Sequence, residues 1–496
     1  MAVIDIGSNS GRVVVYQTHA QGYLRILASS RASLRLVREL DSTQRLSGDA
    51  EGRALDALRD FKAIALGAGA SRVVALATSA VRDASNGRAF IRRVRSELGL
   101  PVRILSGDEE ARYGFLGAVR GVPVSTGVLF DLGGGSLQLS RFRSRRLLRT
   151  WSLPLGALRM SDAFLRSDPP SRSEQRRLKD HVRGRLERAG MRALARGEEV
   201  IGTGGTVRNL ARIDGRARHY PLSQLHGYVL TRSALDDVAH LLASRRLKKR
   251  ASIQGLNDDR GDSIVGGSLV IQTLMELLDA RRMWVSGQGV REGVAYGSLS
   301  PDLPPPAVVR ETAIAALTAS FREWDPEWSR RRAAIAAALI AALDPAASRE
   351  VREALGHAAT LLDIGRSIDF FDRHEHVADI VLATDLDGFS HREIALLSAI
   401  VRSAGDKETN PRSYAPLLGR DDKPAVERAA VLLALADDVV ERCPRGTPVS
   451  VRCRVGKREA TVTVRGLAGW RPRKIGPRFA DAFGRVLTVR ASRATG

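Results

Sequence analysis

Two stretches of the chain carry one pattern of apolar and polar positions. In "MAVIDIGSNSGRVVVYQ", Val3 and Ile4 run into Asp5, then Gly7, Ser8, Asn9 and Ser10, then Val13-Val14-Val15. In "GVLFDLGGGSLQLSRF", an apolar run meets Asp131, then Gly133-Gly134-Gly135-Ser136, then alternating Leu137 and Leu139. Each predicts a strand, a tight loop of small residues and a second strand. A third loop, Gly202-Thr203-Gly204-Gly205-Thr206, follows "EEVI" and opens the helical-looking "VRNLARI". Such loops make good hairpin turns, because Gly and Asn accept positive φ. They also let backbone N–H groups and hydroxyls face phosphate oxygens, beside a carboxylate able to hold a divalent cation. The repetition points to a cleft between two like halves that grips phosphates from both sides.

The remaining pattern divides the chain. "SRVVALATSAVRDASNGRAFIRRV" predicts a strand entering Thr78-Ser79 and then a helix. "PVRILSGDEEARYGFLGAV" predicts a short strand, a turn at Ser106-Gly107 and a helix. A basic helix is expected over 172–196, an apolar segment over Ser263–Leu278, then a strand in "MWVSGQGV". Consecutive prolines in "SPDLPPPAVV", 300–309, predict a linker. Beyond it, 310–442 is rich in Ala and Leu at helical period, and "VSVRCRV-GKR-EATVTVRG" switches to period two, a hairpin. The expected domains are 1–123, 124–300, 310–445 and 446–496.

A length of 496 residues suits about three domains. The net charge of +23, from 78 Lys+Arg against 55 Asp+Glu, fits a polyanionic partner, or a genome that favours Arg and Ala. Basic runs lie at 141–149, 245–250 and 471–478. Aromatic residues are sparse, and no zinc-finger spacing or other DNA-reading motif stands out, so no nucleic-acid partner is expected. Cys443 and Cys453 do not make a disulfide framework. With no leader pattern and no run of 18 apolar residues, a cytoplasmic protein without a membrane span is expected.

The candidate chemistry leaves alternatives open. Asp5 and Asp131 either bond their own turns or face one cleft, where Mg²⁺ needs only one or two carboxylates. Ser106 and Glu109 fit a capping box, which leaves Glu110 in the first turn. Glu110 either complements the helix dipole or accepts a proton from an attacking water. Arg82 is either a surface residue or a bidentate phosphate ligand.

Six motifs in order, "AVIDIGSNSGRVVV", "ATSAVRDASN", "ILSGDEEARYGFLG", "VLFDLGGGSLQL", "IGTGGTVRNLA" and "VSGQGVREGVAYG", resemble the exopolyphosphatase / guanosine pentaphosphate phosphohydrolase family over about residues 1–300. The resemblance implies an α/β fold: two ribonuclease-H-like domains of the actin and sugar-kinase superfamily around a cleft. An all-α His-Asp-like domain and a small C-terminal α+β unit would follow. It implies that Asp5 and Asp131 organise Mg²⁺, that Glu110 activates water and that Arg82 holds the terminal phosphate. The loops Gly7, Ser8, Asn9 and Ser10, Gly133, Gly134, Gly135 and Ser136, and Gly204, Gly205 and Thr206 would bind phosphates.

The expected substrate is inorganic polyphosphate, with guanosine pentaphosphate (pppGpp) as the alternative, and the expected assembly is a homodimer. This chain departs from the family pattern at Gln138, where a Glu is usual; Gln keeps an acceptor oxygen and loses the charge. That departure opens a further reading, a weakly catalytic or non-catalytic polyphosphate or nucleotide sensor. A kinase or ATPase of the same superfamily is another. The region 310–450 resembles the helical domain of long family members, related to His-Asp metal phosphohydrolases. Here the metal-binding pair reads Leu362-Asp363, with His374 and His376 nearby, so no metal is expected there.

Overall fold

The computed structural model describes all residues except 38–39, 41–43, 406–413, 468–469 and 493–496. The chain forms two compact units, Met1–Tyr220 with Leu225–Thr312, and Pro221–Gln224 with Ala313–Gly496.

The first unit holds two sheets. One contains β1 (Ala2–Ile6), β2 (Ser10–Thr18), β3 (Leu24–Ser33), β4 (Val73–Ala77) and β5 (Val102–Ile104) in the order β3-β2-β1-β4-β5. The other contains β6 (Gly127–Leu132), β7 (Leu137–Arg143), β8 (Arg146–Leu153), β9 (Glu199–Thr203), β10 (Val229–Thr231) and β11 (Arg282–Val285), in the order β10-β11-β9-β6-β7-β8. In both, three antiparallel strands continue into parallel ones, and β10 is an added edge. The sheets are duplicates down to the register: Asp5 pairs with Arg12 across β1 and β2, and Asp131 with Gln138 across β6 and β7. Each loop closes with the same bond, Gly7 N–H to Ser10 O at 3.2 Å and Gly133 N–H to Ser136 O at 3.0 Å.

The central strands β1 and β6 read as near-continuous apolar runs because both faces are covered. Ala2, Val3, Ile4 and Ile6 are buried, as are Val128, Leu129, Phe130 and Leu132. The first sheet is covered by helices Gly48–Gly67 and Gly87–Leu98 through Leu55, Leu58, Phe61, Phe90 and Val94. The second packs under Arg172–Arg188, Gly205–Ala217 and Ile264–Leu277 through Leu178, Val182, Leu210 and Ile271. Helix Gly107–Arg120, in sequence at the end of the first half, packs on Leu129 and Phe142 of the second sheet. Helix Val290–Gly297, at the end of the second half, packs on Val3, Val14 and Leu76 of the first. The halves are therefore laced together by exchanged helices.

Three local expectations change; the basic helix expected over 172–196 ends at Arg188. Within the proline-rich 300–309, helix Pro306–Thr318 already begins, with Pro306 as its first residue; there the fixed φ suits a helix and the missing N–H costs nothing. The basic runs also spend members internally. Arg145 is buried and donates to the carbonyls of Val119, Arg120, Val122 and Val124. Arg250 donates to Leu242 O and Gly261 O, and Arg478 to the carbonyls of Ser403 and Ala404.

The second unit contains helices Pro326–Leu343, Arg349–Leu361, Arg373–Ala383, His391–Ala404 and Asp422–Glu441. A sheet of β12 (Ser450–Val455), β13 (Glu459–Arg465) and β14 (Val486–Ser492) follows, with helix Ile475–Phe483 leading into β14. Leu362 is buried, and the neighbouring Asp363 is committed to a guanidinium: Arg332, fully buried, reaches Asp363 Oδ2 at 2.9 Å and Asp437 Oδ1 at 2.7 Å. His374 and His376 lie half-buried in the first turn of helix Arg373–Ala383. Among the described residues, no helix is long and apolar enough to cross a membrane.

Candidate active site

The loops after β1 and β6 meet face to face. A Cβ at Gly134 would lie 3.0 Å from Asn9 Cβ, tighter than an ordinary contact, so glycine there eases the close approach of the two loops. The cavity they enclose is walled by Asp5, Gly7, Ser8, Asn9 and Ser10 from one half, and by Asp131, Gly133, Gly134, Ser136, Gly204 and Gly205 from the other. Ser8 Oγ bonds Ser79 Oγ at 2.8 Å and fixes the first loop against helix Ser79–Asp83. Thr203 Oγ1 donates to Gln288 O at 2.7 Å and ties the third loop to the segment that carries Arg291.

Glu110 enters the same cavity because its helix starts there. Ser106 Oγ accepts from Glu109 N–H at 3.2 Å, and Glu109 Oε2 accepts from Ser106 N–H at 2.9 Å. This capping box uses up Glu109 and turns Glu110 inward, where it is buried. Arg82 Nη1 donates to Glu110 Oε2 at 3.0 Å and to Leu105 O at 2.9 Å.

The charges are densely coupled. Burial pushes Glu110 up to about 7; Arg82 opposes this, while Asp131 and Asp5 add to it. Asp131 is pushed up to about 6, chiefly by burial, against the pull of Arg208. Burial also raises Asp5, although Arg291 Nη1 lies 3.4 Å from its Oδ2. Five arginines line the cavity: Arg12, Arg31, Arg208, Arg260 and Arg291. Burial and the charge of Arg291 lower Arg12 and Arg208 to about 10 each. A buried carboxylate beside a ring of guanidiniums can take a proton while a polyanion is held.

The Ppx/GppA phosphatase family model matches residues 14–301, and the model of that family's domain III matches 309–471. The chain belongs to the Ppx/GppA phosphatase family. It is 30% identical over 318 residues to Exopolyphosphatase 1 of Mycobacterium tuberculosis, covering 63% of this chain and 92% of that relative. Identity to Exopolyphosphatase 1 of Mycobacterium leprae is 31% over 314 residues, 62% of this chain and 92% of that protein. The crystal structure of the Aquifex aeolicus family member matches with a TM-score of 0.53 and 28% identity, over 60% of this chain and 96% of that one. The fold class expected from the sequence is the one found, and the match to domain III extends the family relationship past the cleft.

Within this Ppx/GppA phosphatase, three of the residues expected to bind phosphate stand outside the cavity wall. Arg82 lies behind Glu110, Gly135 packs toward Ser8 and Ser79, and Thr206 is buried in the helix after its loop. Gln138 does line the cavity; its Nε2 donates to Ser136 Oγ at 2.7 Å, opposite Asp131 in register. The five cavity arginines were not singled out as candidates from the sequence. Three of them had a signal: Arg12, Arg208 and Arg291 each follow a glycine-containing loop within four residues. After the fourth such loop the corresponding place is Gln138.

Proposed function

We propose that this chain hydrolyses the terminal phosphoanhydride of inorganic polyphosphate. The observation that carries the reading is one cavity holding a buried, proton-accepting Glu110, two loop aspartates and five arginines. Glu110 accepts a proton from water as the water oxygen bonds to the terminal phosphorus. The bond from that phosphorus to the bridging oxygen breaks, releasing orthophosphate and a polymer one unit shorter. Arg12, Arg208 and Arg291 neutralise the phosphate oxygens, and the loop N–H groups orient them. Arg82 holds Glu110 in place.

Asp5 and Asp131 fit a hard cation such as Mg²⁺: both are carboxylates in the wall of one cavity, and the charge of Asp5 adds to the upward push on Asp131. When bound, the cation would supply charge stabilisation to the phosphoryl oxygens. Among the described residues no group of three or more His, Cys, Asp or Glu gathers, so water or phosphate oxygens would complete its shell. Asp5→Asn and Asp131→Asn are each expected to raise the Mg²⁺ concentration for half-maximal activity more than they weaken polymer affinity. A titration unchanged in both variants would remove them as ligands.

The alternative substrate, pppGpp, presents the same bond. The excess of +23 charges favours the polymer, as do the names of the mycobacterial relatives. Phosphate release from long polyphosphate, pppGpp and ATP in parallel decides between them. Polyphosphate should give the highest kcat/KM; a higher value for pppGpp would overturn the assignment, and equal slow release from all three would favour a sensor.

A further inference from the structure

Helix Val290–Gly297 belongs in sequence to the second half but is seated on the first. Val294 and Ala295 pack with Val3, Val14, Leu76 and Leu105. Tyr16, on β2, lies in this apolar cluster and is only 1% exposed. Phe would fill such a place equally well, so the hydroxyl needs its own account, because a buried Tyr must find a partner. Its partner is Glu292: Tyr16 Oη donates to Glu292 Oε1 at 2.7 Å. The other oxygen, Glu292 Oε2, accepts from Gly289 N–H at 2.8 Å at the helix start. The carboxylate is thus fixed from two directions. Arg291 Nε lies 3.9 Å from Glu292 Oε1, and its Nη1 lies 3.4 Å from Asp5 Oδ2. Arg291 Nε makes no hydrogen bond, so the guanidinium is held by the two carboxylates.

We propose that Tyr16 and Glu292 are positioning residues that aim Arg291 at the bound phosphate from across the cleft. The inference rests on the phosphate-binding reading of the cavity. In this arrangement Glu292 holds one side of the guanidinium and Asp5 the other. Tyr16 restrains the carboxylate that would otherwise swing onto Arg291 and pull it off the cavity wall. A flexible Glu292 would compete with phosphate for the same guanidinium, so loss of the hydroxyl weakens anion binding without removing any cation.

Tyr16→Phe should separate this role from packing, since it deletes one oxygen inside an apolar cluster. The probe is inorganic triphosphate in EDTA, titrated calorimetrically, so that no turnover is required. Tyr16→Phe should raise Kd about three- to tenfold, the scale of one buried hydrogen bond. In an Arg291→Gln background the same substitution should change nothing, because the group it positions is gone. A purely structural role would give the same loss in both backgrounds, and that result, or no loss in either, would overturn the proposal. Should Tyr16→Phe fail to fold, Glu292→Gln in both backgrounds makes the same test, as it keeps volume and loses the charge that holds Arg291. If the wild type itself binds no triphosphate, the phosphate reading of the cavity falls, and this proposal with it. If the wild type binds and Tyr16→Phe binds equally, only the positioning role falls.

Discussion

Glu110→Gln is expected to lower kcat on polyphosphate by about 10²–10⁴, the usual cost of losing a general base, with KM nearly unchanged. Gln is isosteric and its amide oxygen can still accept from Arg82 Nη1, now 3.0 Å from Glu110 Oε2, so the helix and the cavity wall keep their shape. What is lost is basicity alone. The pH profile carries a second readout. Burial puts Glu110 at about 7 instead of in the usual carboxylate range. A base works deprotonated, so wild-type kcat should fall as pH drops through about 7. In Glu110→Gln that acidic limb should vanish. Arg82→Gln removes the cation that favours the ionised form, and so should shift the limb to higher pH. Retained activity in Glu110→Gln, within a factor of a few, would assign the proton to another group.

The sequence made the strand–loop–strand units legible because the central strands of a two-layered sheet must be apolar on both faces, which leaves Asp5 and Asp131 conspicuous at their ends. The capping box made Glu110 legible by elimination: a Ser three residues before a Glu spends that Glu on the helix start. The arginines were harder. In a chain with 78 Lys+Arg, a cationic side chain carries little information by type, and only its place relative to a loop distinguishes Arg12 from a surface residue. Arg31 lies inside β3, and Arg260 ends a short turn far from the three glycine loops in sequence, so both enter the cavity through tertiary packing. Arg145 and Arg250 look like members of a surface track in sequence but satisfy buried carbonyls. No local pattern distinguishes an arginine that caps backbone carbonyls from one that faces solvent. Tyr16 and Glu292 are 276 positions apart and meet only because the two terminal helices of the halves are exchanged.

That exchange sets the other large expectation: Gly293→Ala should lower both stability and turnover, whereas Gly114→Ala should keep turnover and raise stability slightly. Helices Gly107–Arg120 and Val290–Gly297 touch backbone to backbone. A Cβ on Gly293 would lie 1.8 Å from Tyr113 O and 3.0 Å from Gly117 N, and a Cβ on Gly117 would lie 2.0 Å from Gly289 O. These neighbours are main chain within helix Gly107–Arg120 or at the start of helix Val290–Gly297 and cannot rotate away, so the helices must part. Overpacking of this kind costs about 1–3 kcal/mol, and more where backbone must move. The same movement separates Glu110, on one helix, from Arg291, on the other. A misplacement of about 1 Å between reacting groups can cost about 10²-fold in rate. At Gly114, one helical turn from Gly117, the nearest atom to a new Cβ is Val290 Cγ2 at 4.0 Å, an ordinary contact. Alanine there gains about 0.5–1 kcal/mol of helix propensity with no clash. Thermal unfolding and kcat of the two variants, side by side, make the comparison. Equal Tm and kcat for Gly293→Ala and Gly114→Ala would show that the crossing can open without disturbing the site. The expected split would show that the distance between the two exchanged helices is what holds base and guanidinium in register.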